Sequence, residues 1–226
     1  MRRAVDAKSL MVPIILLLYC GSAQAFVGAD IADRTVERYT VAVVTAKGLC
    51  SGVVLAQNIV LTAAHCVRAD PNVQVHGNPV IETVLHPLYG SADARAADLA
   101  ILKLANPLPH RFIPAVVNPR SLSKGIDLIA AGYGHSSIKD HLAGTALRMV
   151  VLRVFDTGKD WVALVSARIE SSGAGPGDSG SPVYAYRGMY SVVALIVGGS
   201  GEHIIAVALA GHYPWIMDTV QRLGAP

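Results

Sequence analysis

The sequence predicts an all-β protein of the barrel or sandwich type, finished by one C-terminal helix. Three observations carry that expectation. Short apolar stretches rich in β-branched residues recur at 39–45, 52–55, 59–62, 100–104, 128–131, 147–154, 161–165, 182–184, 191–197 and 204–209. Most match a strand in length and are too short for a free-standing helix. Turn signals separate them, including Lys47-Gly48, Gln57-Asn58, Asp70-Pro71-Asn72 and Gly198-Gly199-Ser200-Gly201. Many short strands at this spacing fold as a barrel or sandwich. The pattern changes at 213–223, where Trp215, Ile216, Val220 and Leu223 recur near helical spacing between Asp218, Gln221 and Arg222. An amphipathic helix lying against a barrel accounts for that stretch.

Residues 1–25 read as a secretory signal peptide. Arg2, Arg3 and Lys8 form a basic start, an apolar run spans 10–19, and Ala23-Gln24-Ala25 supplies a small-x-small cleavage pattern. The run is about half of the ~20 residues that span a bilayer, which argues against a membrane anchor. Cleavage after Ala25 starts the mature chain at Phe26. It removes three basic residues and one acidic one, so the formal charge falls from +3 to +1. It also removes Cys20 and leaves Cys50 and Cys66. An even count in an exported protein invites a disulfide, with two free buried thiols as the alternative. A proline-punctuated stretch, 106–119, reads as a crossover between two halves, and there is no internal repeat or low-complexity tract.

Bulk composition narrows the function classes. With 226 residues, 52% hydrophobic and 15% charged, the chain can bury a substantial core and is not of the disordered class. The modest charge offers no footprint for nucleic acid. No His-Glu-x-x-His arrangement or cysteine cluster points to a metal, and no cofactor is expected.

Three segments carry chemistry. Leu61-Thr62-Ala63-Ala64-His65-Cys66 puts a histidine just after a strand, and Asp98-Leu99-Ala100-Ile101-Leu102 puts an aspartate at the mouth of another. Gly175-Pro176-Gly177-Asp178-Ser179-Gly180-Ser181-Pro182 puts a serine in a glycine-rich turn ahead of a third. A serine hydroxyl is a weak nucleophile near neutral pH and needs a base. Imidazole can take its proton and return it to a leaving amine, and a carboxylate on the other ring nitrogen fixes the tautomer. The three segments resemble the TAAHC, DIAL and GDSGGP blocks of chymotrypsin/trypsin-like serine proteases, in the same order and at similar spacing. His86-Pro87-Leu88-Tyr89 resembles a further stretch that these enzymes often carry before the aspartate. The resemblance runs from Phe26 to the C-terminal helix.

That resemblance implies two six-stranded antiparallel β-barrels with a C-terminal helix. The first barrel, 26–115, would hold His65 and Asp98, and the second, 116–226, would hold Ser179. It implies a secreted or periplasmic endopeptidase acting on polypeptides, open to protein inhibitors, monomeric and without a stable membrane anchor. Ser179 would be the nucleophile, His65 the general base and acid, and Asp98 the orienting carboxylate. The amides of Gly177 and Ser179 would form the oxyanion hole. The freed amino group of Phe26 would pair with Asp178, so that removal of the leader itself activates the enzyme. Phe26 stands where the family usually has isoleucine, and Ser181 stands where it usually has glycine. The pocket base falls on uncharged Gly173, which argues against Lys/Arg specificity. Gly199 lies on the substrate-binding strand, which lacks the family's tryptophan, and Ile204 is a further pocket-wall position. Small or medium apolar side chains are the expected preference.

Two other readings compete. An α/β-hydrolase would want Gly-x-Ser-x-Gly and the chain order Ser, Asp, His, whereas position 181 is serine and the order here is reversed. A non-catalytic homologue using the same fold for binding is the second, and the departures at Phe26, Ser181 and the substrate strand are what favour it.

Overall fold

The computed structural model describes residues 30–91, 97–134, 146–167, 174–200 and 203–224. The described chain opens with β1 (Asp30–Ile31) and a one-turn helix α1 (Arg34–Glu37). Asp33 caps α1, its Oδ1 accepting from the N–H groups of Thr35 and Val36 at 2.8 and 2.9 Å. Then come β2 (Thr40–Thr45), β3 (Gly48–Ala56), β4 (Ile59–Thr62), the one-turn helix α2 (Ala64–Val67), β5 (Gln74–Val75), β6 (Asn78–Leu85) and β7 (Ala100–Leu104). The six strands close into a barrel in the order β2-β3-β4-β7-β6-β5.

The crossover leads into β8 (Val116–Val117), followed by β9 (Asp127–Gly132), β10 (Arg148–Thr157), β11 (Trp161–Ser166), β12 (Pro182–Tyr186), β13 (Tyr190–Ser200) and β14 (His203–Ala208). A second six-stranded barrel runs β10-β11-β14-β13-β12-β9 and closes through antiparallel pairing of β9 with β10. β1 extends β10, and β8 joins β13 in parallel. A 3₁₀ turn (Leu209–His212) leads into α3 (Tyr213–Arg222), with Pro214 in its first turn. The expected two barrels and terminal helix are therefore present.

Alternation along the strands builds three cores. In β10, Val150, Leu152 and Val154 point into the second barrel, where Leu164, Ala194 and Ile196 meet them. Val60, Ala100, Leu102 and Leu104 fill the first barrel. Their neighbours Ile59, Leu61, Leu99 and Ile101 face the opposite way and pack with Tyr184, Leu195, Val207 and Ile216 in a third cluster. This cluster joins the barrels, so β4 and β7 are covered on both faces and read as largely apolar runs, broken by Thr62 and Lys103.

α3 follows the second barrel in the chain but is tied to the first. Lys103 of β7 donates to the Leu223 carbonyl at 2.8 Å, covering the helix's C-terminal end, and Arg222 lies 3.7 Å from Glu82 of β6. Three differences from the sequence expectation have local causes. β6 is largely exposed and begins with the turn formers Asn78 and Pro79, which hides its strand character. β1, β5 and β8 have two residues each and no readable period. Gly198 and Gly199, part of the turn signal at 198–201 although the resemblance puts Gly199 on the substrate-binding strand, are strand residues just past a bulge in β13, paired with Ile205 and Ile204.

Candidate active site

His65 sits in α2, three residues beyond the end of β4, and Asp98 lies two residues before β7. Pairing of β4 with β7, Thr62 opposite Ala100, brings the two segments together. Asp98 then holds His65 twice. Its Oδ1 accepts from the His65 backbone N–H at 2.8 Å, and its Oδ2 lies 2.6 Å from Nδ1. The side chain of Asp98 is 11% exposed and that of His65 is 38% exposed, so the carboxylate is shielded while the ring reaches solvent. A proton on Nδ1 facing the carboxylate leaves Nε2 as the acceptor, the tautomer a general base requires. Tyr89 stands near the carboxylate: burial, then the charge on Asp98, push its phenol up, and Arg68 opposes them. Cys50 and Cys66 form a disulfide with Cα atoms 6.5 Å apart, anchoring α2 to β3 immediately beside His65.

Ser179 lies in the turn before β12. Within this turn the N–H groups of Asp178, Gly180 and Ser181 donate to the carbonyls of Gly175, Ile196 and Asp178 at 3.1, 2.7 and 3.0 Å. Among the described residues nothing accepts from the N–H groups of Gly177 or Ser179. Gly177 has φ +97°, and a Cβ there would meet the Gly134 Cα at 2.7 Å, so both conformation and space require glycine. Gly180 has φ +81° and packs against the first barrel, where a Cβ would lie 2.0 Å from the Ser51 carbonyl oxygen.

Ser51 of β3 makes the contact between the turn and the first barrel. Its N–H donates to the Ser179 carbonyl at 2.8 Å, and its Oγ donates to the Gly177 carbonyl at 3.0 Å. Oγ also accepts from the Tyr133 N–H at 2.9 Å, and the Ser51 carbonyl accepts from Thr62 Oγ1 at 2.7 Å. Thr62 pairs with Gly52 and stands three residues before His65, so the serine turn is fixed to the strand pair that carries the histidine. Sequence reasoning passed over Ser51. A polar residue inside the buried run of β3 was the available signal, because buried hydroxyls take partners.

A family model described as Trypsin matches residues 26–216. The chain belongs to the trypsin family of serine-type endopeptidases. It is similar to trypsin iota of Drosophila melanogaster, 25% identical over 67% of this chain and 69% of that protein. It is also similar to human granzyme M, 27% identical over 77% and 80%, and to human chymotrypsin-like elastase family member 1, 24% identical over 76% and 81%. Two solved structures share the trypsin-family fold, each covering 86% of this chain and 99% of its own. They are a scabies mite inactivated protease paralogue (TM-score 0.72, 22% identity) and neuropsin, a serine protease expressed in mouse brain (TM-score 0.70, 16% identity). The first of these carries the fold in a protein described as inactivated.

The remaining site residues fall as follows. Ser181, where the family usually has glycine, is fully buried, and its Oγ occupies the space beside Gly132, where a Cβ would meet it at 2.1 Å. The larger residue at 181 is thus accommodated by the absence of a side chain at 132. Asp178 is buried, and its Oδ2 accepts from the Gly175 N–H at 3.0 Å. Its expected partner Phe26 lies outside the described residues, as does Gly173. Gly199 faces the Ala174 side chain, where an added Cβ would sit 3.5 Å from Ala174 Cβ and 2.7 Å from the His203 carbonyl oxygen. Ile204 is buried in the second barrel's core, against which Ala174 also packs. Among the described residues no group of three His, Cys, Asp or Glu side chains could hold a metal ion, and no helix is long and apolar enough to cross a membrane.

Proposed function

We propose that this trypsin-family chain is an exported endopeptidase in which Ser179 attacks the scissile carbonyl of a polypeptide. The observation that carries this reading is the doubly held His65–Asp98 pair, with Nδ1 2.6 Å from the carboxylate. His65 Nε2 takes the Ser179 hydroxyl proton as the Oγ–carbon bond forms, and Asp98 stabilises the resulting imidazolium. The developing oxyanion receives the N–H groups of Gly177 and Ser179. Collapse passes the proton from His65 to the leaving amine and leaves an acyl-serine. Water, deprotonated by the same histidine, then releases the carboxylic acid and restores the hydroxyl.

In this reading 26–115 and 116–226 supply opposite sides of the cleft, and the chain acts as a monomer. Residues 1–25 direct export to the periplasm or medium. Removal of that leader frees the Phe26 amino group to pair with Asp178, and a disulfide suits the oxidising destination. Side chains at the scissile position are small or medium and apolar, because Gly173 carries no charge and Gly199 borders Ala174. Protein inhibitors that mimic an extended substrate would occupy the same cleft.

Intact mass of the exported protein, with and without a fluorophosphonate probe, tests the proposal. The expected result is a chain starting at Phe26 with one disulfide and a single adduct that Ser179→Ala abolishes. A folded chain from Phe26 that takes no adduct is a non-catalytic homologue. An adduct on a chain retaining leader residues keeps the protease and rejects the activation scheme.

A further inference from the structure

We infer that Ser51 is a positioning residue for the oxyanion hole, its buried hydroxyl holding the Gly177–Ser179 turn against the first barrel. The inference rests on the reading of Ser179 as nucleophile and concerns a residue that touches neither substrate nor the reacting atoms. Both donors assigned to the oxyanion lie in a turn whose leading residue is a glycine at φ +97°, the residue type least able to hold a peptide plane by its own sterics. Inside the turn the Asp178 N–H holds the plane after Gly177 through the Gly175 carbonyl at 3.1 Å; a contact from outside the turn reinforces it.

Ser51 does so at two points. Its Oγ–H binds the carbonyl of Gly177 and its N–H binds the carbonyl of Ser179, at 3.0 and 2.8 Å. These carbonyls belong to the two peptide planes that bracket the Ser179 N–H. A peptide unit is rigid, so holding its carbonyl holds the whole plane. Fixing the planes on either side of the Asp178–Ser179 peptide restrains that peptide and its Ser179 N–H, while the Gly177 N–H, on the preceding Pro176–Gly177 plane, is restrained only through the Gly177 Cα. The hydroxyl is itself aimed by the Tyr133 N–H at 2.9 Å, which occupies one lone pair and directs the proton at Gly177. Ser51 is fully buried, so water does not compete for these bonds. The backbone bond to Ser179 survives any substitution at position 51. The Oγ bond to Gly177 is the part that this side chain adds.

Ser51→Ala and Ser51→Gly remove the hydroxyl and keep the backbone bond. Active sites are counted by fluorophosphonate titration to completion, so unfolded molecules do not enter the rates. A peptide boronate, which presents a tetrahedral oxygen to the oxyanion hole, is compared with a peptide substrate. The expected result is a fall of about tenfold in kcat per titrated site, KM within about twofold, and boronate affinity weakened by the same factor as kcat/KM. Glycine leaves more room than alanine and serves if the alanine chain does not accumulate. An unchanged kcat per site, or a loss carried wholly by KM with the boronate unaffected, overturns the role of Ser51. A wild-type protein with neither turnover nor adduct rejects the peptidase reading and this inference with it. An active wild type beside fully active variants rejects the inference alone.

Discussion

His86 Nε2 and His212 Nδ1 lie 3.1 Å apart, and both rings are buried. The pair links the end of β6 to the turn that starts α3, with Trp215 packed edge-on against His86 at 4.5 Å between centroids. The Leu88 N–H donates to His86 Nδ1 at 3.2 Å, which places the remaining proton of a neutral ring on Nε2, facing His212. The His86 backbone N–H donates to the Leu99 carbonyl at 2.9 Å, one residue from Asp98. The pair therefore joins the C-terminal helix to the segment that carries Asp98.

This arrangement predicts an acid limb in stability. Burial first, then the neighbouring His212, lower the His86 pKa from 6.5 to about 4, with Asp160 opposing. The unfolded chain binds the proton more readily, so stability is greatest above pH 6.5 and falls as pH drops from 6.5 towards 4, below which this group contributes no further loss. Melting temperature measured against pH should show that decline, and His86→Gln should flatten it. An equally steep limb in the variant would assign the effect to other groups.

Asp98→Asn should leave the fold intact and cut kcat by about ten-thousand-fold. The amide can accept from the His65 N–H while its NH₂ faces Nδ1 and selects the wrong tautomer. Steady-state kinetics beside a thermal melt checks this, and a loss of only a few-fold would remove Asp98 from its assigned role.

Gly180→Ala should loosen the joint between the barrels. Its Cβ would lie 2.0 Å from the Ser51 carbonyl and 2.5 Å from Thr62 Oγ1, at a φ of +81° that alanine tolerates poorly. A loss of ~2 kcal/mol or more is expected in urea unfolding, together with reduced turnover per titrated site. Wild-type stability in this variant would show that the contact between the turn and β3 is looser than described.

Replacing Cys50 and Cys66 together by alanine should cost ~3 kcal/mol of stability, the chain-entropy value for a loop of this size. Because the bridge anchors α2 beside His65, turnover at a temperature where the variant stays folded should fall as well. Denaturant melts and kinetics on the same samples separate the two effects.

Much of this was legible without coordinates, for physical reasons that differ by element. The runs at 59–62 and 100–104 coincide with β4 and β7, since short, largely apolar stretches suit strands covered on both faces. The helix predicted at 213–223 forms as α3 over Tyr213–Arg222, because its apolar period repeats within a few residues. Cys50 and Cys66 pair as their even count invited. β6 escaped notice because an exposed strand has no apolar face to display. Ser51 escaped because its partners Gly177 and Ser179 lie far along the chain, the nearer of them 126 residues away.

The chain's own order of residues was enough to determine the strand-rich architecture, the terminal helix and the three motif segments, which reside in local patterns of side-chain type, and to invite the disulfide that the structure then paired. It did not say that alternate residues of β4 serve two different cores, that α3 returns to the first barrel, or that Ser51 holds the turn of Ser179. Those were decided by tertiary structure, because a hydrogen bond or packed face between distant segments has no local period. Such a contact exists once both barrels have closed and brought their surfaces together.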